Sequence, residues 1–289
     1  MPPADPQPSP PSGMEDQDHF WNEIQGPKWV RLSALIEPTL APIGDATIAR
    51  LAPKPGEAIL DVGCGCGITS LALAERVAPG GSVTGADISR PMLALARERA
   101  AQATGPVDFI EADASAHAFE PDGFDAVFSR FGVMFFTDFT AAFANLLRAT
   151  RPGGRLAFGA WRTRKDNPWA MTAVPIARPH VELPPRPAPG DPGQFAFEDE
   201  DFVRGFLEAA GWSNVGFERF DVDLRVGEAP EDAADFLIEM GPVAAPLAAA
   251  DTATKDLVRR ELREALGAHA GPVGVHLGSS SWIVTAVKR

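Results

Sequence analysis

A doubly wound α/β fold is predicted by three observations. Short apolar runs of strand length, such as Ala58 to Val62 and Gly123 to Ser129, alternate with amphipathic stretches of helix length. A glycine-rich turn, Asp61-Val62-Gly63-Cys64-Gly65-Cys66-Gly67, links the first run to a helix-like segment. The same strand, turn and helix rhythm continues as far as Trp161, and such repeats wind with one hand.

Residues 1–17 carry Pro2, Pro3, Pro6, Pro8, Pro10 and Pro11 with few apolar side chains, and are expected to be a disordered tail. Residues 18–53 change character. His19-Phe20-Trp21, Trp29-Val30, Leu32, Leu35 and Ile36 predict amphipathic helices broken at Gly26-Pro27 and Pro38, then a short helix from Gly44 to Leu51. Their paired tryptophans suit a helical lid.

The α/β core is placed at 54–161. Pro53 to Gly56 turns into strand 58–62, and the helix from Ile68 to Val77 sets Ile68, Leu71, Leu73 and Ala74 toward a sheet. Ser82 to Asp87 is the second strand, and Ser89 caps a helix from Pro91 to Ala103. Pro106 to Glu111 and Gly123 to Ser129 are the third and fourth strands. A helix from Asp138 to Thr150 has Phe139, Phe143, Leu146 and Leu147 on one face. Arg151-Pro152-Gly153-Gly154 then turns into a fifth strand, Arg155 to Trp161.

Residues 162–197, with eight prolines between Thr163 and Phe197, read as an irregular insertion. The C-terminal part, 198–289, begins with a helix from Glu198 to Ala210 closed by Gly211. A strand follows from Val215 to Val226. Two helices, Pro230 to Ala250 and Thr252 to Ala268, form a cap over 230–268, and the closing strand runs from Ser281 to Val287.

The net charge of -13 argues against nucleic acid, because phosphate binding needs Lys and Arg in excess. No apolar run is long enough to span a bilayer, and the N-terminus lacks the basic and apolar regions of an export signal, so a cytoplasmic location is expected. Both cysteines, Cys64 and Cys66, lie in the glycine turn. They read as small side chains tolerated in a crowded loop, and no metal site is expected.

A strand, a glycine loop and a helix N-terminus form a nucleotide-type site, since the free N–H groups there face an acceptor. The dinucleotide pattern requires glycine at position 68, where Ile68 stands, which disfavours a nicotinamide-dependent oxidoreductase. Asp87, twenty residues beyond Gly67 at a strand end, suits the two hydroxyls of a ribose.

Four signals now stand in order: the Asp61–Gly67 loop, Asp87 with Ile88, Asp113-Ala114, and the Phe124–Ser129 strand followed by Arg151-Pro152-Gly153-Gly154. Together they resemble the class I S-adenosylmethionine-dependent methyltransferases, in the branch with ubiquinone/menaquinone-type and other small-molecule enzymes. The resemblance implies a Rossmann-like sheet of seven strands with the last antiparallel, and S-adenosylmethionine as cofactor. It implies that Asp61 and the amides of Gly63, Cys64 and Gly65 face the methionyl part, with Gly67 completing the loop. Asp87 would hold the ribose, and Ile88 and Met92 would flank adenine. Asp113 would accept from the adenine amine while Ala114 meets the ring through its backbone, and the Ser129 carbonyl would face the amino group.

The function expected is in-line methyl transfer to a small-molecule acceptor. A non-catalytic S-adenosylmethionine-binding regulatory or assembly protein keeps the same loop and is the alternative. DNA amino-methylation is disfavoured, because Ser129-Arg130-Phe131-Gly132 stands where Asn/Asp-Pro-Pro-aromatic is needed, and the longer signatures of quinone C-methylation are missing. The sequence has no tyrosine, and among its histidines His19, beside the lid, is the candidate base. Trp29, Arg130 and Phe131 are the candidate substrate-side or lid residues. A homo-oligomer is compatible with the sequence.

Overall fold

A computed structural model of the protein describes residues 14–103 and 105–289. The expected tail lies outside the described residues as far as position 13. From Met14 the chain is helical, so helix begins earlier than the expected start at position 18.

Helices α1 (Met14–His19), α2 (Gln25–Arg31) and α3 (Ser33–Leu51) come first, with a π-helical turn at Phe20–Ile24 between α1 and α2. The break expected at Pro38 does not occur, and α3 carries Pro38 and Pro42 inside nineteen continuous residues. Its buried face, Ile36, Leu40, Ile43, Thr47, Ile48 and Leu51, supplies the packing that offsets the amides missing at the prolines. Gly26-Pro27 likewise falls within the first turn of α2, where a proline costs no hydrogen bond.

The sheet strands are β1 (Ala58–Val62), β2 (Ser82–Asp87), β3 (Val107–Glu111), β4 (Phe124–Arg130), β5 (Thr150–Trp161), β6 (Ser213–Gly227) and β7 (Gly274–Val287). They are ordered β3-β2-β1-β4-β5-β7-β6, and the two residues Ala270–Gly271 pair back on β7. Neighbours from β3 to β5 are parallel, whereas β7 meets β5 antiparallel, from Arg155↔Val287 to Trp161↔Ser281. The turn expected at 151–154 is drawn into β5 as an irregularity. Register jumps from Phe124↔Thr150 to Ala126↔Arg155, and Gly153 sits at φ 76°.

The intervening helices are α4 (Ile68–Val77), α5 (Arg90–Ala100), α6 (Phe139–Ala149), the short α7 (Pro168–Met171) and α8 (Ala173–Ala177), and α9 (Glu200–Ala209). Asp199 caps α9 by accepting from the amides of Asp201 and Phe202. The stretch 230–268 holds three α-helices where two were expected, because Gly241 ends α10 (Pro230–Met240) before α11 (Ala244–Ala249) and α12 (Thr252–Leu266).

Contacts divide the described chain into two units. One holds residues through Trp161 with 189–220 and 281–289, and the other holds 162–188 and 221–280. In the first, Ile48, Leu51, Ile59, Leu73, Val77, Val83 and Phe128 belong to one buried hydrophobic cluster. In the second, Asn167 is fully buried and exchanges hydrogen bonds with the backbone of Ser280, which fixes the start of α7. The insertion at 162–197 is therefore partly helical, where its prolines predicted irregular chain.

Candidate active site

The parallel register brings the carboxyl ends of β1 to β4 to one edge, with Asp61 at the end of β1, Asp87 at the end of β2 and Ser129 near the end of β4. Asp61 is wholly buried. Its Oδ2 accepts from Thr69 Oγ1 at 2.8 Å and Ser70 Oγ at 2.6 Å, both in the first turn of α4. Its Oδ1 is buried with no hydrogen-bond partner among the described residues. Burial outweighs those two hydroxyls and the Arg130 charge, and pushes the Asp61 carboxyl up to about 6.

Gly63, Gly65 and Gly67 all hold positive φ, at 67°, 57° and 83°. A Cβ on Gly63 would lie 2.7 Å from the Cα of Gly132, so two backbones touch there. The amides expected to face a ligand are engaged within the chain. Those of Gly63 and Cys64 donate to the Ala86 carbonyl, at 2.8 and 3.2 Å, and that of Gly65 donates to Asp87 Oδ2 at 2.8 Å. The loop closes on strand β2 before it meets anything else. Both thiols are buried, and Cys66 is pushed up to about 12 chiefly by burial, so neither is a thiolate at neutral pH.

Asp87 uses both oxygens on backbone, Oδ2 on Gly65 and Oδ1 on the Ser89 amide at 2.9 Å, yet burial still raises its pKa. Each oxygen keeps lone-pair capacity for a further donor. Met92 is buried with its Cε 2.8 Å from where a Gly65 Cβ would stand. Ile88 is half-buried. Asp113 spends Oδ1 on the amide and hydroxyl of Ser115, at 2.9 and 2.6 Å, and the buried Ala114 offers its carbonyl to Asn145 Nδ2 at 3.0 Å.

The Ser129 hydroxyl is structural. It donates to the Val62 carbonyl at 2.7 Å and accepts the Gly132 amide at 3.2 Å, tying β4 to the glycine loop. Gly132 was missed by sequence reasoning, although a glycine three residues past a strand-end serine is a readable signal. Phe131 is buried at φ 66°, a rare conformation for a side chain of that size, and its ring stacks on Trp161 at 4.2 Å and 8°. Arg130 is half-buried, and its guanidinium donates no hydrogen bond to any described residue.

Trp29 lies 6.4 Å edge-on from Trp21, which meets Phe135 at 5.1 Å, so the N-terminal helices reach the end of β4 through aromatic rings. Asn22, also missed, is the latch. It donates to the Ile88 carbonyl at 3.1 Å and accepts the Arg90 amide at 2.8 Å, while Ser89 Oγ donates to the Trp21 carbonyl at 2.8 Å. Gly26 belongs to the same contact, since a Cβ there would strike the Trp21 carbonyl and Ser89 Oγ. His19 is exposed on α1, outside this contact set and without a hydrogen bond to any described residue.

A methyltransferase-domain family model matches residues 59–154. The chain is 31% identical to the nocamycin O-methyltransferase of Saccharothrix syringae over 65% of this chain and 70% of that protein. It is 34% identical to the demethylmenaquinone methyltransferase of Clavibacter sepedonicus over 59% of this chain and 71% of that protein. In fold it is similar to a Haemonchus contortus phosphoethanolamine N-methyltransferase solved with S-adenosyl-L-methionine, at a TM-score of 0.51 and 22% identity, covering 85% of this chain and 52% of that one. The chain belongs to the class I S-adenosylmethionine-dependent methyltransferases.

Proposed function

We propose that the protein transfers a methyl group in line to a small-molecule acceptor at the carboxyl edge of β1, β2 and β4. The observation that carries this reading is Asp61, fully buried beside the glycine loop with one oxygen that no described residue uses. A buried acceptor of this kind is costly unless a donor completes it, and the cofactor's amino group is such a donor.

When bound, S-adenosylmethionine supplies a sulfonium-activated methyl. The chain's part is to bind, orient and exclude water. Asp87 would accept from the ribose hydroxyls through the lone pairs its two amides leave. Met92 and Ile88 would flank adenine, with Ala114 beside it, and Asp113 would reach the adenine amine with Oδ2, its Oδ1 being taken. Ser129 serves by holding the loop, and its hydroxyl faces Val62. The stacked Phe131 and Trp161, with Trp21, Trp29 and Phe135, would supply an apolar wall toward the acceptor. His19 is set aside as base because of its exposure.

Acidic net charge keeps a nucleic-acid acceptor disfavoured, and no helix of the described residues is long and apolar enough to cross a membrane. Calorimetry with S-adenosylmethionine, S-adenosylhomocysteine and NADH tests the ligand; binding of NADH alone overturns the reading. Labelled methyl offered to a metabolite extract should appear in a small-molecule fraction. Tight cofactor binding with no transfer would favour a regulatory role.

A further inference from the structure

Arg130 stands at the last position of β4 with an unusual set of neighbours. Its pKa is lowered by burial, while the charges of Asp61, Glu37 and Asp45 favour the cation. None of them takes its hydrogen bonds. Glu37 is held by Arg99 in a two-pronged pair, with Nη2 to Oε2 at 3.0 Å, and Arg99 also donates to the Cys66 carbonyl at 2.9 Å. Asp45 is exposed on α3. Asp61 gives its Oδ2 to Thr69 and Ser70 and forms no ion pair with Arg130. A half-buried guanidinium with five donors and no acceptor among the described residues has donors to offer an anionic ligand.

The position of the side chain indicates which anion. A Cβ on Gly44 would lie 3.2 Å from Arg130 Cδ, 3.5 Å from its Nη1 and 3.7 Å from the Thr69 methyl. Arg130 therefore leans under α3 toward Thr69 and Asp61, on the glycine-loop side of the strand end. Phe131, the next residue, stacks on Trp161 of β5. The guanidinium thus sits with the loop assigned to the cofactor's amino-acid end, apart from the aromatic wall assigned to the acceptor. An amino-acid end carries one ammonium and one carboxylate. Asp61 offers an unused acceptor oxygen and Arg130 offers unused donors, so the two charges match the two ends of that zwitterion.

We propose that Arg130 is the residue that binds the carboxylate of the cofactor's amino-acid end, in a charge-complementary pair with Asp61. This rests on the cofactor reading above. The absence of a side chain at Gly44 belongs to the same device, because it leaves room for the arginine stem beneath α3.

The test compares S-adenosylhomocysteine with methylthioadenosine, which keeps the nucleoside and sulfur but has no amino-acid end. Arg130→Met should weaken S-adenosylhomocysteine by roughly tenfold to a hundredfold in calorimetry and leave methylthioadenosine within about twofold. Arg130→Lys should fall between, since it keeps the charge and loses the fork. Equal loss for both ligands, or no loss for either, overturns the proposal. Should Arg130→Met fail to fold, the wild-type protein decides. Decarboxylated S-adenosylhomocysteine must bind at least about tenfold more weakly than the intact ligand, and equal affinity overturns the assignment. Wild-type protein that binds none of the adenosyl ligands would instead reject the cofactor reading itself.

Discussion

The glycine-loop edge and the N-terminal helices lie against each other in the first unit and are built in opposite ways. At the edge, three side chains each make two hydrogen bonds within the chain: Asp61 with two hydroxyls, Asp87 with two amides, Ser129 with a carbonyl and an amide. The N-terminal segment reaches it through Asn22, the Trp21 carbonyl and ring contacts around Trp21. The difference sets a cross-linked loop edge beside a segment held to it by a few polar and ring contacts, and four measurements would break or sharpen it.

The largest effect is expected at the backbone contact. Gly63→Val must take φ 67° with a β-branched side chain and drive into Gly132 at 2.7 Å, and should destabilise the protein by roughly 3 kcal/mol or more. Urea unfolding measures this, and a loss below about 1 kcal/mol would show that the loop edge yields.

Next is the pH response of Asp61. Its folded pKa of about 6 lies above the ordinary 3.8, so the native state holds the proton more tightly than the unfolded chain. Stability from this group is present below the unfolded value and is lost as pH rises through the folded one. The loss is about 3 kcal/mol between roughly pH 4 and 6. Asp61→Asn should flatten that segment of the stability profile; an unchanged slope would place the titration elsewhere.

Asn22→Ala removes the latch while leaving the edge intact. It should speed cofactor dissociation severalfold in stopped flow and cost about 1 kcal/mol or less in urea. A large stability loss with an unaltered off-rate would make the segment part of that edge. The smallest effect belongs to His19→Gln, for which methyl transfer should stay within about twofold of wild type at all pH values. A loss of about tenfold or more would restore His19 as base.

The same contrast marks what the sequence could disclose. Strands β1 to β4 and the loop were legible because buried parallel strands are short apolar runs, and because glycine most readily takes the positive φ found at positions 63, 65 and 67. The roles of the loop amides were not. Whether an N–H faces a ligand or the Ala86 carbonyl depends on register with β2, which no local pattern encodes. Pro38 and Pro42 misled for a related reason. Their local cost argued for a break, and the long-range burial of Ile36, Leu40 and Ile43 overrode it. Asn22 was hidden because one buried asparagine in an aromatic stretch has no period to betray it.

Phe131 bears on what a ligand complex should look like. An aromatic residue held left-handed costs on the order of 1 kcal/mol and persists only where its surroundings leave no alternative. Here the Trp161 stack and the hydrogen bond donated by the Phe131 amide to the Gly159 carbonyl at 3.1 Å supply that confinement. The rim formed by residues 129–132 should therefore superpose between crystals with and without a nucleoside, like a fixed jaw. Displacement on ligation is expected to gather instead in residues 14–31, on the facing side.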